Sequence, residues 1–401
     1  MPEAVIVAAA RTPIGRAHKG SLRECRADDL AAFAIRTALQ KVPQVASQDV
    51  DDVMLGCGKP AGEAGFNVAR AVSVLNDMDA VPGTTVNRYC ASSVQTTRMA
   101  FHAIKAGEGE VFISAGVEAV SRLDRGNPDL LSAMNPRFTE PALSNGTRAF
   151  RAWSDPRLDG LSPNLHLAMG QTAENVASLR SISRREQDEF ALRSQTLTQG
   201  AIASGFWSRE ITPYPLADGS VVAADDSPRA GVTYESLADL SPVFREDGTV
   251  TAGNCCPLND GAAAVVIMSD AAAARSGVTP IARIVATGVS ALSPEIMGLG
   301  PVDATRRALR NAGMTIEDID LVEINEAFAA QVIPSQRELG IDIDRLNVNG
   351  GAIALGHPFG MTGARLQVTM LNSLQTHDKS TGLITMCVAG GQGMAMIIER
   401  L

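Results

Sequence analysis

Apolar residues along this chain come in short dense runs rather than long stripes. VIVAAA (5–10), VFISAG (111–116), AAAVVIM (262–268), LITMCV (383–388) and MAMIIE (394–399) are each six or seven residues long with almost no charge. Runs of that length read as strands buried on both faces. Elsewhere the period is helical. From Ser92 apolar positions keep helical spacing up to Gly107, which suits the left-handed position that closes a helix. Met169 to Ser204 reads as a helical stretch, with Ser183 and Glu186 forming a capping box that restarts it after a break.

Two distant stretches share one pattern. ALQKVPQVASQDVDDVMLG (38–56) and ALRNAGMTIEDIDLVEIN (308–325) each end a helix, turn, pass an acidic segment and enter an apolar strand. Val86-Asn87 and Val348-Asn349 echo one another further on, as do the strands 110–116 and 382–388. Three matches in the same order imply an internal duplication, two β/α halves with largely buried sheets, and hence an α/β fold. The expected boundaries are 1–120 for the first half, 121–248 for a region unlike either half, 249–270 for a return to the first half, and 271–401 for the second. The intervening region is richer in Pro, Asn and Arg and holds a turn-laden run from Asn145 to Pro163. An insert of that length predicts a lid or binding domain.

Composition narrows the class. With 401 residues the chain exceeds one ordinary core. No run approaches the ~20 apolar residues that span a bilayer, and the start lacks the basic flank of a signal peptide, so a cytoplasmic protein without a membrane segment is expected. A net charge of −9 without a long basic block argues against nucleic-acid binding. Six cysteines without a CxxC pair and five histidines make a structural metal site an unlikely expectation.

Four segments could carry chemistry. In VNRYCASSVQTTRMAFHAIKAG (86–107), Cys90 falls at a strand-to-helix turn. The positive helix end and its N–H groups there favour a thiolate and can face a developing oxyanion. On this segment alone a small buried cysteine at a helix start remains the favoured reading. VNGGAIALGHPFGMTGAR (348–365) fixes His357 between glycines and Pro358. That suits a base, and equally a structural histidine satisfied by backbone bonds. TMCVAGGQGMAMIIE (385–399) places Cys387 at a strand end before glycines, and a strand follows, which excludes a phosphate-cradling loop. EINEAFAAQ (323–331) puts Asn325 and Glu326 just after a strand, with Glu326 readable as a simple helix N-terminal charge. All four lie at matching strand ends of the two halves, where ligands of α/β sheets sit.

From end to end the chain resembles a thiolase. VIVAAARTPIGR (5–16), VNRYCASS, INEAF, GGAIALGHPFGMTGAR and CVAGGQG resemble the family's segments in order and spacing, and MGQTAENVA (169–177), TAGNCCPLNDGAA (251–263) and MGLGP (297–301) resemble its CoA-contacting stretches. The resemblance implies a five-layer αβαβα fold of two related halves with an inserted loop domain over CoA. It implies CoA-dependent cleavage of a 3-ketoacyl-CoA, or the reverse condensation. Cys90 would be acylated, His357 would take its proton, and Cys387 would be the acid–base at the substrate α-carbon and the CoA thiol. Asn325 would hold a water that forms one oxyanion hole with His357, and N–H groups at Cys90 and after Cys387 would form the other.

By the same resemblance Arg229 and Ser236 match the adenine end of CoA, Met169, Phe244, Ala252, Cys256 and Phe328 match the pantetheine channel, and Met297 is a further CoA contact. CoA is then a substrate, with no permanently bound cofactor and no metal, and a homodimer or tetramer is expected. Cys256 replaces a common Ser and Ala389 a common Gly. Ala168 stands where short-chain biosynthetic members usually carry His, which tilts the expectation toward a degradative enzyme. An acetoacetyl-CoA-forming acetyltransferase is the alternative within the class, and a non-catalytic acyl-CoA or lipid carrier the alternative outside it.

Overall fold

The computed structural model describes residues 2–125, 135–138 and 153–401. Of the run Asn145 to Pro163, residues 145–152 lie outside the described residues. The first half runs β1 (Ala4–Arg11), α1 (Ala27–Gln40), β2 (Asp52–Cys57), α2 (Val68–Leu75), β3 (Gly83–Val86), α3 (Ser92–Ala106) and β4 (Val111–Ala119). After the insert, which contributes α4 (Met169–Leu179) and α5 (Arg184–Ala203), the chain returns as β5 (Asn259–Ser269). The second half is β6 (Ala282–Ala291), α6 (Gly300–Ala312), β7 (Leu321–Ile324), α7 (Ala329–Leu339), α8 (Phe359–Thr376), β8 (Thr381–Val388) and β9 (Gln392–Arg400).

The duplication is written into the strand order, β7-β8-β9-β6-β1-β5-β4-β2-β3. Outward from the middle, β1-β5-β4-β2-β3 mirrors β6-β9-β8-β7. In each half the first three strands pair antiparallel and the next pairing is parallel. The halves join through β1 and β6 over only two residue pairs, Val5 with Arg283 and Ile6 with Ala282. The Val348-Asn349 echo is weaker than its sequence suggests. Where the first half has β3, the second has a single bridge between Val322 and Leu346, after which Asn347 at φ 45° turns the chain away.

Side-chain alternation sets the layers. On β5, Ala262, Ala264, Val266 and Met268 face a core with α1 and α2, while Ala263, Val265 and Ile267 face α3 and α8. On β9, Met394, Met396 and Ile398 share that central core, and Ala395 and Ile397 turn to α6 and α7. A register shift between Ile6 and Ala8 resets the alternation of β1 to match. The result is the αβαβα stack, with α3 and α8 in the middle. Helix α8 is buried almost all round, which explains why its sequence shows no polar stripe. The capping box at Ser183 and Glu186 forms as expected, with Glu186 drawn down to about 2 by Ser183 and Arg337.

Candidate active site

Cys90 lies in a tight turn (Tyr89–Ala91) that runs from β3 directly into α3. Tyr89 has a φ of 45°, which a bulky residue adopts only where its surroundings impose it. Here Asn87 Oδ1 accepts the Tyr89 N–H at 2.7 Å, and Ser92 Oγ accepts the Arg88 N–H at 2.9 Å while donating to the Tyr89 carbonyl at 2.6 Å. The N–H groups of Ala389 and of Cys90 itself point at the thiol. The helix end was expected to acidify Cys90, but burial, followed by the Glu118 carboxylate, pushes it up to about 12. The N–H groups and Lys59 pull the other way and lose. The resting residue is a neutral thiol.

His357 sits between a short helix (Ala352–Leu355) and α8. Its own N–H donates to Asn259 Oδ1 at 2.9 Å, and its Nδ1 is 2.7 Å from Thr362 Oγ1. That hydroxyl donates its single proton to the Pro358 carbonyl at 2.8 Å. It must therefore accept from the ring, which places the proton on Nδ1 and leaves the Nε2 lone pair free. Burial, then the Arg365 guanidinium, draws His357 down to about 3, so the imidazole is neutral.

Cys387 ends β8 at the wall of the same space. It is wholly buried, and burial and then Cys90 raise its thiol well above the ordinary range. The turn that follows needs left-handed backbone at both Gly390 and Gly391, each at φ 77°, and it is this turn that brings the Ala389 N–H to Cys90. Cys256 is raised by burial, then by its neighbours Cys255, Cys90 and Cys387. Four thiols therefore share one region.

Asn325 follows β7, and its Nδ2 is 3.5 and 3.4 Å from the two ring nitrogens of His357. Two long, nearly equal distances mean that the amide lies beside the ring rather than bonding either nitrogen strongly. Its buried Oδ1 has no protein partner among the described residues and would suit a bound water or substrate group. Glu326 is more than a helix-terminal charge. Its buried carboxylate accepts from Ser194 Oγ at 2.6 Å, Asn347 Nδ2 at 2.8 Å and the Ile353 N–H at 3.1 Å. It ties the loop that carries His357 to α5.

The residues matched to CoA fall into two groups. Met169, Phe244, Cys256, Met297 and Phe328 pack in one cluster with Cys387, and Phe244 meets Phe328 edge-on with ring centroids 6.1 Å apart. Arg229 and Ala252 line a cleft with Arg16, Ser227, Leu237 and Ile353. Ser236 is exposed, and its hydroxyl is used in the cap of the helix Tyr234–Ala238, where it donates to the Thr233 carbonyl at 2.8 Å. Its neighbour Leu237 reaches the cleft instead. No group of three or more metal-ligating side chains occurs among the described residues, and none of their helices is long and apolar enough to cross a membrane.

Residues 4–271 match the thiolase N-terminal domain and residues 278–400 the thiolase C-terminal domain. The chain belongs to the thiolase family. It is 44% identical to a 3-oxoadipyl-CoA/3-oxo-5,6-dehydrosuberyl-CoA thiolase of Escherichia coli K12 and 42% identical to an acetyl-CoA acetyltransferase of the same organism, each comparison covering 100% of both chains. Among solved structures, the Bacillus anthracis acetyl-CoA acetyltransferase is similar with a TM-score of 0.87 and 39% identity, over 100% of this chain and 99% of that one. As a thiolase it is an acyltransferase of CoA-dependent thiolytic cleavage or condensation.

Sequence reasoning missed several residues that this thiolase places at the site. Glu118, near the end of β4, accepts the N–H groups of Gly58 at 2.8 Å, Lys59 at 3.2 Å and Gly360 at 2.9 Å. It thereby fastens the start of α8, just after His357, to strand ends of the other half. Its signal was a lone acid in an apolar strand. Thr362 carried no signal beyond lying five residues after His357, and Arg16 lay within RTPIGR without an assigned role.

Proposed function

We propose that this thiolase works in the degradative direction, cleaving a 3-ketoacyl-CoA longer than acetoacetyl-CoA through an acyl group on Cys90. One observation carries the assignment of roles: a neutral thiol with two N–H groups aimed at it, in a site shared with a second buried thiol and an imidazole whose tautomer is fixed. His357 Nε2 takes the Cys90 proton as sulfur attacks the C3 carbonyl, and the N–H groups of Cys90 and Ala389 stabilise the oxygen as it becomes negative. The C2–C3 bond breaks, and its electron pair becomes the enolate of acetyl-CoA. The enolate oxygen is met by His357 and the group held by Asn325. Cys387 gives its proton to C2 and recovers one from the incoming CoA thiol. CoA sulfur then attacks the thioester, and Cys90 leaves and recovers its proton from His357. Condensation is the same path reversed.

The high Cys90 value and low His357 value fit this scheme, because neither charge exists until substrate brings an oxygen to the N–H groups. Arg16 and Arg229, exposed at the cleft, suit the phosphates of CoA as it docks. Ala168, exposed at the start of α4, adds no bulk to the acyl side, which supports longer substrates. The relatives' substrates also put dicarboxylic 3-ketoacyl-CoAs on the list to assay. The biosynthetic acetyltransferase is the second reading, favoured by the similarity to the two acetyltransferases. No permanent cofactor is needed for any of these steps, and a cytoplasmic location fits them. Assembly as a homodimer is supported by the open edge of β3 and by Phe66, 93% exposed, with Val74, Leu75 and Tyr89 also exposed.

Intact-protein mass spectrometry after brief exposure to acetyl-CoA tests the roles. Wild type and Cys387→Ala should carry an acetyl group that maps to Cys90, and Cys90→Ala should carry none. Thiolysis should fall by about 10²–10⁴ in Cys387→Ala, the usual worth of general acid–base catalysis. An adduct on Cys387 or Cys256 would overturn the assignment.

A further inference from the structure

The turn 389–391 that supplies an N–H to Cys90 is covered from outside by two segments. One is the short helix Pro294–Leu299, entered through Leu292, whose N–H donates to the Gly391 carbonyl at 2.7 Å. The other is the stretch 153–167, of which Leu165 lies against Gly390: a β-carbon there would be 3.5 Å from Leu165 Cδ1 and 3.7 Å from Tyr89 Cε2. Leu165 and Tyr89 thus give an apolar face to the space beside Cys90. Among the described residues, one buried side chain bonds this stretch at both of its ends. Glu295, 5% exposed, accepts the Trp153 Nε1–H on one carboxylate oxygen at 2.8 Å and the Asn164 N–H on the other at 3.0 Å. The Glu295 carbonyl accepts from Asn175 Nδ2 at 2.9 Å, and Asn175 Oδ1 in turn accepts from Arg245 at 2.7 Å. The clamp is therefore anchored to α4 as well.

We propose that Glu295 and Trp153 are positioning residues for substrate selection: they clamp the stretch 153–167 over the turn 389–391, and so fix how long an apolar acyl chain the site accepts. This rests on the reading that the acyl group is carried by Cys90. Neither residue takes part in the proton transfers described above. A buried carboxylate with both oxygens bonded to the covering stretch is a strong, directional anchor. Its loss frees that stretch to move away from Gly390. Room then opens beyond the first carbons of the acyl group, where a long chain reaches and an acetoacetyl group does not.

The experiment compares kcat and KM for acetoacetyl-CoA and for 3-oxodecanoyl-CoA in wild type, Glu295→Ala, Glu295→Gln and Trp153→Phe. The ratio of kcat/KM, long over short, should rise about tenfold in Glu295→Ala, mainly through KM for the long substrate. Trp153→Phe keeps a ring but loses the N–H, and should move the ratio in the same direction. Glu295→Gln retains one acceptor and should fall between wild type and Glu295→Ala. If Glu295→Ala does not fold, Trp153→Phe alone decides. A ratio within threefold of wild type in the folded variants, or one shifted toward acetoacetyl-CoA, overturns the proposal. Failure of the wild-type chain to take an acetyl group on Cys90 would instead sink the earlier reading and is seen separately.

Discussion

Replacing Thr362 by Val isolates the tautomer argument from the rest of the site. The two residues are similar in shape and both β-branched, so the first turn of α8 keeps its side-chain packing. Only the hydroxyl goes, the group that accepts from His357 Nδ1 at 2.7 Å and donates to the Pro358 carbonyl at 2.8 Å. A buried polar group left without a partner costs about 1–3 kcal/mol. The ring can escape that cost by moving its proton to Nε2 once the Asn325 amide turns its unpartnered Oδ1 there in place of Nδ2. In the proposed mechanism that nitrogen accepts the Cys90 proton. If the lost bond biases the tautomers by about 1.5–3 kcal/mol, the reactive form becomes roughly ten- to a hundredfold rarer, at 1.4 kcal/mol per factor of ten. The readout is kcat and KM for thiolysis of a 3-ketoacyl-CoA, followed by loss of its absorbance, with thermal unfolding as control. We expect kcat to fall about 10–100-fold with KM little changed, and Thr362→Ser, which restores the hydroxyl, to recover most of it. Full activity in a well-folded Thr362→Val would mean that the Thr362 contact does not set the ring's role.

Other outcomes follow from the same geometry. Alkylation of Cys90 by iodoacetamide should accelerate with pH beyond 8.5 without levelling, since burial and Glu118 hold the thiol high; a plateau by pH 7 would show a preformed thiolate. Glu323, raised to about 8 by burial, keeps a proton in the native state that the unfolded chain gives up near its ordinary 4.5. The native state then binds more protons between those values, so stability should fall as pH rises from 4.5 to 8. Urea midpoints at pH 5 and pH 8 should show this, and Glu323→Gln should lose the slope. Glu326→Ala removes the anchor of the His357 loop and should lower both the unfolding temperature and kcat, whereas Ser194→Ala, which removes one of its three donors, should do less.

The duplication was legible because each half repeats a helix end, turn, acidic segment and strand in the same order, and those local signals survive in single sequence. The family's motifs picked out Cys90, His357, Cys387 and Asn325, which the proposed mechanism takes as the reacting groups. What resisted reading was anything fixed by segments distant in the chain. Glu118 is a lone acid near the end of an apolar strand, and nothing local to it shows that α8 from the second half packs there and gives it the Gly360 N–H. The acidity of Cys90 was misjudged for the same reason: local structure offers a helix end, while tertiary packing adds burial and that same carboxylate. Glu326 likewise depends on Ser194 and Asn347, 132 and 21 residues away in the chain.

The repeat also explains how Cys90 and His357, proposed above as nucleophile and base, come from different halves. Helices α3 and α8 hold corresponding places in the two halves, and each is preceded by its reactive residue two positions before the first helical one, Cys90 before Ser92 and His357 before Phe359. Both helices lie in the central layer, side by side. Their approach is so close that a β-carbon on Gly363 would sit 2.5 Å from the Val94 nitrogen, and the Ala364 N–H donates to Ser93 Oγ at 2.8 Å. Two copies of one turn-helix unit, packed helix against helix, bring equivalent turns together, so a residue that gains chemistry in one copy faces its counterpart in the other. The third group, Cys387, enters from β8, whose first-half counterpart β4 carries Glu118. One copy of that strand thus contributes the Cys387 thiol and the other a carboxylate that secures the start of α8 beside His357. The difference between the halves is a divergence of equivalent positions around a shared centre, and it accounts for a site in which no single half holds both Cys90 and His357.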